Sequence, residues 1–267
     1  MTLTITQVRE LLARHELRPS KALGQHFLAD PNTARRIVRL AEAAPGTRVV
    51  EVGPGVGSLT VALADAGASV LAVELDRHLL PALHEVVAGR AVEIVQADAL
   101  TVDWAALLAG TWTMVANLPY NVATPVVLRA LECAPMIDRY LVMVQAEVGQ
   151  RLAAQVGDDA YGAVSVKVAY YAEAEVVGTV SPNVFVPKPK VESALLRLER
   201  RAQPPVVVRD DERMFTLVRA GFATRRKTLR RSLAGLVDER TFARAGVDPT
   251  ARAETLDLEA WARLSDG

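Results

Sequence analysis

Apolar runs separated by segments of helical spacing dominate the first two thirds of the chain. The apolar runs are Arg48–Val52, Ser69–Val73, Val92–Val95, Trp112–Ala116 and Tyr140–Val144. Short, valine-rich runs of this kind are typical of parallel strands whose two faces are both buried. Because helical segments lie between them, the pattern predicts an α/β protein with a right-handed, doubly wound sheet.

Capping signals and apolar spacing place helices around this sheet. Residues 4–15 carry apolar side chains at helical spacing, and Asp30-Pro31 predicts an N-cap and first turn of a helix that runs to about Ala44. Further helices are predicted from near Ser58, from about Pro125 to Cys133 and from Gln145 to Gln155. The segment between the first two helices, residues 18–30, has no period and is predicted to be a loop.

The pattern changes after Tyr161. Strands are predicted at Val164–Tyr171, Ala174–Val180 and Ala194–Leu198, with a proline-stiffened loop at 181–190. Gln203-Pro-Pro205 is a candidate linker, and the remaining residues have helical spacing. A smaller helical part is therefore expected at the C-terminal end.

Composition narrows the class of protein. Of the 267 residues, 51% are hydrophobic and 23% charged, and the formal net charge is zero, as in an ordinary globular protein. The one cysteine, Cys133, excludes an intramolecular disulfide framework and a cysteine-rich zinc site, and the four histidines show no metal-ligand spacing. We expect a cytoplasmic protein without a metal, because neither a signal core nor a membrane-spanning run is visible. No feature demands a dimer, so a monomer is expected.

Charge distribution points to a polyanionic partner. Seven basic residues and no acidic ones lie between Arg213 and Arg231. Charge runs are usually solvated faces, but a dense run of one sign in a neutral chain favours phosphate contacts. The residues predicted to contact nucleic acid are Lys188, Lys190, Arg225, Arg226, Lys227 and Arg230.

A glycine-rich turn and two carboxylates follow the first three strands. The strand at Arg48–Val52 is followed by Gly53-Pro-Gly-Val-Gly57 and a helix, which is the first unit of a nucleotide-binding fold, although the G-x-G-x-G spacing differs from the dinucleotide fingerprint. Glu74 ends the second strand 21 positions after Gly53, where a carboxylate suits two ribose hydroxyls. Asp98 follows the third strand, where it could accept from an adenine amino group.

The stretch Asn117-Leu118-Pro119-Tyr120 follows the fourth strand, where ligands bind in open α/β sheets. The Asn117 side-chain oxygen and the Leu118 carbonyl could accept from an exocyclic amine and favour its attack on an electrophile. Pro119 restricts Leu118, and Tyr120 could stack on a base. The alternative is an ordinary strand-to-turn junction. Phe185 could face Tyr120 and sandwich the base, or it could be a hydrophobic plug for its own loop.

The motifs in this order closely resemble the small-subunit (16S) rRNA adenine dimethyltransferases of the KsgA type. The matching segments are Leu-Gly-Gln-His-Phe-Leu (23–28), Glu-Val-Gly-Pro-Gly (51–55), Glu-Leu-Asp (74–76), Gln-Ala-Asp-Ala (96–99), Asn-Leu-Pro-Tyr-Asn (117–121) with Thr124-Pro125, Phe-Val-Pro-Lys-Pro-Lys-Val-Glu-Ser (185–193) and Phe-Ala-Thr-Arg-Arg-Lys-Thr-Leu (222–229). Where His26 stands, the family pattern often has Asn. The resemblance implies a Rossmann-like S-adenosylmethionine-dependent methyltransferase domain with an N-terminal helical extension over residues 1–200. A small helical RNA-contacting domain over 201–267 would follow.

The same resemblance implies roles for the site residues. The methyl donor, S-adenosylmethionine, would be bound by His26, Leu28, Gly53, Gly55, Glu74, Asp98 and Asn117. Asn117 and Leu118 would hold the target N6, and Tyr120 and Phe185 would stack on the flipped adenine. The expected product is N6,N6-dimethyladenosine on two adjacent adenosines near the 3′ end of small-subunit rRNA, made during ribosome biogenesis.

Other classes of protein fit less well. The macrolide-resistance methylases share the fold but resemble Asn-Ile-Pro-Tyr followed by Ser-Thr, where this chain has Asn-Leu-Pro-Tyr-Asn and Thr-Pro. A DNA adenine methylase would carry an inserted sequence-reading domain, and a nicotinamide dehydrogenase would need a different turn and an acid or base for hydride transfer. A ribosome-assembly factor without catalysis is disfavoured because Glu74, Asp98 and Asn117–Tyr120 are intact.

Overall fold

A computed structural model describes residues 2–224 and 226–267 and divides the chain into two compact units. The first unit runs up to Gly149 and resumes at Glu175–Arg200, and the second comprises Gln150–Ala174 and Arg201–Gly267. One limit between the units falls after Arg200. Residues 150–174 group with the C-terminal part, although their last three residues already belong to a strand of the main sheet.

The described residues form strands β1 (Phe27–Leu28), β2 (Arg48–Val52), β3 (Ser69–Glu74), β4 (Val92–Gln96), β5 (Trp112–Asn117), β6 (Ile137–Gln145), β7 (Ala172–Val180), β8 (Phe185–Val186) and β9 (Ser193–Arg200). Seven of them form the main sheet, in the order β4-β3-β2-β5-β6-β9-β7, and β1 pairs with β8 in a separate two-stranded sheet. Strands β4, β3, β2, β5 and β6 are parallel in this order, and β9 pairs antiparallel with β6. The predicted Rossmann-like α/β fold is confirmed.

The order of the strands reverses between β2 and β5. Strand β2 pairs with β3 on one side and with β5 on the other, in a register that places Val50 beside Met114. Both strands are buried along most of their length, as their apolar sequences predict. Their carboxyl ends, at Val52 and Asn117, therefore meet at the topological switch point where α/β sheets bind ligands.

The first unit contains helices on either side of the strands in sequence, and one of them begins at the predicted cap. They are α1 (Ile5–Arg14), α2 (Pro31–Leu40), α3 (Ser58–Asp65), α4 (Leu80–Val87), α5 (Trp104–Leu107) and α6 (Ala123–Cys133). The Asp30 carboxylate accepts from the Thr33 backbone N–H at 2.7 Å, so the predicted N-cap of α2 is confirmed. Helix α2 ends at Leu40, earlier than predicted, and Glu42 follows with a positive φ.

The second unit is mainly helical. Helix α7 (Ala146–Ala153) reaches it from the first unit, and its other helices are α8 (Ala163–Tyr171), α9 (Asp211–Ala223), α10 (Leu229–Ser232), α11 (Glu239–Ala245) and α12 (Leu258–Asp266). Its core is an apolar cluster that contains the fully buried Trp261 and Met214. No helix among residues 2–224 and 226–267 is long and apolar enough to cross a membrane.

The strand predicted at Val164–Tyr171 is wrong, because this segment is helix α8. The Ser165 hydroxyl accepts from the Gly162 N–H at 3.0 Å and donates to the Arg151 carbonyl at 2.6 Å, which fixes the first turn of the helix. Val166 is fully buried in the cluster around Trp261. Tertiary packing thus overrides the strand preference of a valine- and tyrosine-rich segment.

Candidate active site

The chain makes a tight turn where β5 ends. Asn117 is the last residue of the strand, and the Leu118 N–H still donates to the Met143 carbonyl of β6 at 3.1 Å. The Pro119 carbonyl then accepts from the Val122 N–H at 3.1 Å, and α6 begins at the next residue. This turn lines a cavity in the first unit, which the strand ends at the switch point also line.

The Asn117 amide is held by a hydrogen bond from its nitrogen. Nδ2 donates to the His26 carbonyl at 2.9 Å, a contact between residues far apart in the chain. This bond uses one of the two N–H groups of Nδ2, and Oδ1 is the atom of this side chain that can accept a hydrogen bond. This is the arrangement that an acceptor for an amine N–H requires.

Tyr120 lies beside Asn117 with its hydroxyl anchored. The Tyr120 Oη is 2.7 Å from Ser193 Oγ, and Ser193 is fully buried at the start of β9. Burial raises the pKa of the Tyr120 phenol, and the Ser193 hydrogen bond partly opposes that shift. The phenol is therefore neutral at physiological pH and presents an uncharged ring to the cavity, as stacking on a base requires.

The glycine turn after β2 forms the neighbouring wall. Gly53 has φ +69°, and a Cβ there would lie 3.3 Å from Cδ of Pro119. Gly55 has φ +59°, and a Cβ there would lie 2.8 Å from the Phe27 ring. Both positions therefore need glycine, for backbone conformation and for space. The turn packs directly against Pro119 of the Asn117–Tyr120 segment and against Phe27 of β1.

Glu74 and Asp98 lie at the same edge of the sheet and line the same cavity, as predicted. The buried Glu74 carboxylate accepts from the Gly55 N–H at 3.0 Å and the Asp76 N–H at 2.8 Å. Burial raises its pKa, although these backbone hydrogen bonds oppose the shift. Asp98 is half-buried and accepts from the Leu100 N–H at 2.9 Å. Glu74 is thus fixed by the turn itself and Asp98 by its own loop.

A further acid, Glu51, also lines the cavity and was not singled out from the sequence as a site residue. Its side chain is 1% exposed, and its Oε2 has no hydrogen-bond partner among the described residues. Burial raises the pKa of Glu51 to about 8; the Thr60 hydroxyl beside it opposes the shift, and the charge of Glu74 adds to it. An unpartnered buried acceptor of this kind fits a ligand that carries an ammonium group. The signal in the sequence is a carboxylate inside a buried strand.

Comparison with known proteins decides what kind of site this is. Residues 16–266 match the family model described as ribosomal RNA adenine dimethylase. The chain belongs to this family. A Nocardia farcinica protein called ribosomal RNA small subunit methyltransferase A is 47% identical over 97% of this chain and 93% of its own. The Streptomyces coelicolor protein of the same name is 48% identical over 97% and 94%.

Solved structures agree on the fold. The 23S rRNA methyltransferase ErmE is 32% identical, with a TM-score of 0.69, over 90% of this chain and 98% of its own. A dimethyladenosine transferase from Plasmodium falciparum has a TM-score of 0.72 at 21% identity, over 90% and 96%. The rRNA adenine dimethylase family therefore accounts for both units of this chain, including the helical one.

Phe185 is the predicted site residue that the structure places elsewhere. It is 3% exposed and packs in an apolar cluster with Leu28, Met143 and Leu195. Strands β1 and β8 pair Leu28 with Phe185, which turns the ring into the core. Phe185 is not among the described residues that line the cavity, so in this structure it is the plug for its loop. Leu28, although 3% exposed, does line the cavity.

The predicted RNA-contacting residues differ in their surroundings. Lys188 and Lys190 of the first unit are exposed, as are Arg226 and Lys227 of the second. Arg230 is also exposed, but it pairs with Glu239 at 2.7 Å, so the run is less one-signed in space than in sequence. The prediction for Arg225 lies outside the described residues. In the part of the chain that is described, no group of three or more His, Cys, Asp or Glu side chains could hold a metal ion.

Proposed function

We propose that this protein transfers methyl groups from S-adenosylmethionine to N6 of two adjacent adenosines near the 3′ end of small-subunit (16S) rRNA, giving N6,N6-dimethyladenosine. One observation carries the proposal. A single cavity is lined by Asn117 and Tyr120 together with the strand-end acids Glu74 and Asp98. Acceptors for an amine thus share a cavity with acceptors for a nucleoside. The names of the relatives at 47% and 48% identity support small-subunit rRNA as the substrate.

The methyl-donor end of the cavity has the acceptors that this ligand needs. Glu74 would take the ribose hydroxyls and Asp98 the adenine amino edge, and Gly53 and Gly55 allow close approach of the ligand to the backbone. The unpartnered Glu51 carboxylate matches the α-ammonium of the amino-acid part. When bound, the sulfonium ligand supplies an electrophilic methyl group.

The part of the cavity at Asn117 and Leu118 would activate a weak nucleophile, the N6 amine of adenine. The N6 lone pair of adenine is delocalised into the ring, so the amine must become tetrahedral before it can attack. Asn117 Oδ1 and the Leu118 carbonyl would accept the two N6 hydrogens and stabilise the positive charge that develops on nitrogen. Leu118 is 1% exposed and is held by β6, so its carbonyl is fixed before the base arrives.

The target base must leave the RNA stack to reach this point. Tyr120 would stack on the flipped adenine, a contact worth about 1–3 kcal/mol per base. We propose that Lys188, Lys190, Arg226 and Lys227, together with Arg225 and Arg230, contact phosphates of the rRNA, and that the second unit is the main RNA-contacting part. The proposed setting is the cytoplasm, with a monomer acting on the immature small ribosomal subunit.

The test offers the pure protein a choice of substrates. It would be incubated with labelled S-adenosylmethionine and either small or large ribosomal particles that lack the modification. Label in small-subunit RNA alone is the expected result. Label in large-subunit RNA would support the activity named for ErmE, and binding without any transfer would support an assembly factor without catalysis.

A further inference from the structure

His26 contacts Asn117 and Tyr120, the two residues proposed to hold the target base, and also the loop at Pro187. Its carbonyl accepts from Asn117 Nδ2 at 2.9 Å, and its ring centroid lies 5.2 Å from that of Tyr120 at an angle of 31°. Its Nδ1 lies 2.7 Å from the carbonyl oxygen of Pro187. A carbonyl only accepts, so Nδ1 carries the proton and donates. Backbone and ring of one residue thus contact the two side chains that would hold the target base.

The distance between the rings decides what His26 can do. A base held between two aromatic rings needs about 7 Å between them, twice the contact distance of about 3.5 Å between stacked carbon atoms. The observed 5.2 Å is too short for that, but it lies within the range for a direct aromatic contact. His26 therefore packs on Tyr120 itself and does not form the second side of a base sandwich.

We propose that the His26 imidazole is a positioning residue, which holds the Tyr120 ring in the orientation onto which the target adenine stacks. The inference rests on the proposed adenine methylation. Tyr120 is then fixed at two points, by Ser193 at its hydroxyl and by His26 at its ring. Fixing the ring beforehand removes an ordering cost from RNA binding. Family resemblance gave His26 a role in binding the methyl donor; the ring has this separate role toward the base.

The bond to Pro187 sets the position of the imidazole. Nδ1 donates to the Pro187 carbonyl at 2.7 Å, and this bond orients the ring. Strands β1 and β8 pair Phe27 with Val186, which brings the Pro187 carbonyl next to His26. The ring is therefore held by the same strand pair that buries Phe185.

Two substitutions test the aromatic contact and the hydrogen bond of His26 separately. His26→Asn keeps an amide donor for Pro187 but removes the aromatic contact, and His26→Phe keeps the ring but removes the donor. His84→Asn, at an exposed position of α4, is the matched control. The readouts are KM and kcat for small-subunit particles, the dissociation constant for S-adenosylmethionine, and quenching of 2-aminopurine placed at the target adenosine. Thermal melting of each variant reports on folding.

We expect His26→Asn to impair the use of RNA more than the binding of the methyl donor. His26→Asn should raise KM for RNA about two- to tenfold, as for loss of an aromatic pair, and weaken the quenching, with a smaller change in donor affinity. His26→Phe, which keeps the ring but loses the bond to Pro187, should raise this KM less and retain more of the quenching. Weaker donor binding with an unchanged KM for RNA would overturn the proposal, and so would equal losses in the two variants. A wild-type protein that neither methylates nor quenches the probe would remove the proposed function, and this inference with it.

Discussion

The hydroxyl oxygens of Tyr120 and Ser193 lie 2.7 Å apart, and the serine is fully buried. Ser193→Ala would leave the phenol without this partner, so Tyr120 should lose part of its fixed orientation. We expect kcat/KM for RNA to fall about three- to tenfold, the equivalent of roughly 1 kcal/mol for one hydrogen bond. Tyr120→Phe should have a similar effect, and the double variant should be little worse than either, because the two changes remove one interaction.

Ser265→Ala is the control for that cycle. Ser265 is a buried serine of the second unit whose hydroxyl donates to the Ala262 carbonyl, so the substitution has a similar structural cost without touching Tyr120. Full additivity of Ser193→Ala and Tyr120→Phe would show that the hydroxyl contact does not position the ring.

Asn117→Ala removes the amide oxygen proposed to accept from the target amine. Loss of one such transition-state acceptor typically lowers kcat by about 10²–10³. RNA affinity should change far less, because most of it comes from phosphate contacts. Single-turnover rates and filter binding measure the two effects, with the exposed Asn32→Ala as control. Parallel losses of rate and affinity would mean that Asn117 has a structural role.

Glu51 should make the stability of the free protein depend on pH. Its pKa rises from 4.5 to about 8 on folding, so between these values the folded state holds a proton that the unfolded state has released. Stability should therefore fall as pH rises from about 4.5 to about 8 and then level off. Glu51→Gln should flatten that dependence in urea unfolding measured across this range. It should also weaken binding of S-adenosylmethionine, since the carboxylate is proposed to meet its ammonium.

Glu74 contributes in the same direction, since burial raises its pKa as well. The comparison is therefore between wild type and Glu51→Gln at each pH, with Glu74 present in both. An unchanged slope in the variant would contradict the protonated state assigned to Glu51.

Arg226 and Lys227 are exposed, and no carboxylate pairs with them among the described contacts. If each contacts one phosphate, replacing both by alanine should weaken RNA binding and reduce the slope of log K against log[salt] by about 1.4–1.8. Arg230→Ala is the informative comparison, because Glu239 already offsets its charge. Arg230→Ala should reduce RNA affinity less than alanine at Arg226 or at Lys227 does. Unchanged binding in the Arg226/Lys227 double variant would show that this run is a solvated face.

Phe185→Leu tests whether this ring is core or part of the site. A conservative change at a buried position should cost less than about 1.5 kcal/mol in stability. The rate of methylation and the 2-aminopurine quenching should stay near wild type. A specific loss of quenching without loss of stability would return Phe185 to the role that the sequence suggested.

Local sequence was sufficient where one segment decides its own structure. The strands from β2 to β5 lie within one or two residues of the predicted positions. The apolar runs of β2, β3 and β5 are buried along most of their length, whereas β4 is a partly exposed edge strand. The positions of Glu74, Asp98 and Asn117 followed from strand ends alone, since parallel strands bring their carboxyl ends to one edge.

Features that depend on long-range packing could not be predicted from the sequence. Helix α8 forms because Val166 and its neighbours join a helical core, against their strand preference. Phe185 is buried, and His26 is the aromatic residue that contacts Tyr120. Both placements depend on the register of β1 against β8, two strands of two residues each. No local pattern sets that register, so the sequence left the two alternatives for Phe185 open and gave no sign of the contact between His26 and Tyr120.

The identity of the methylated nucleoside is the most direct test of whether the Asn117–Tyr120 site directs methyl transfer to an adenine amine. Unmodified small ribosomal particles would be treated with wild-type or Asn117→Ala protein and S-adenosylmethionine, and the RNA digested and analysed by mass spectrometry. We predict N6,N6-dimethyladenosine at two adjacent positions with wild type and a strongly reduced yield with the variant. Methylation at a ring carbon or ring nitrogen, or equal rates in the two proteins, would contradict the account.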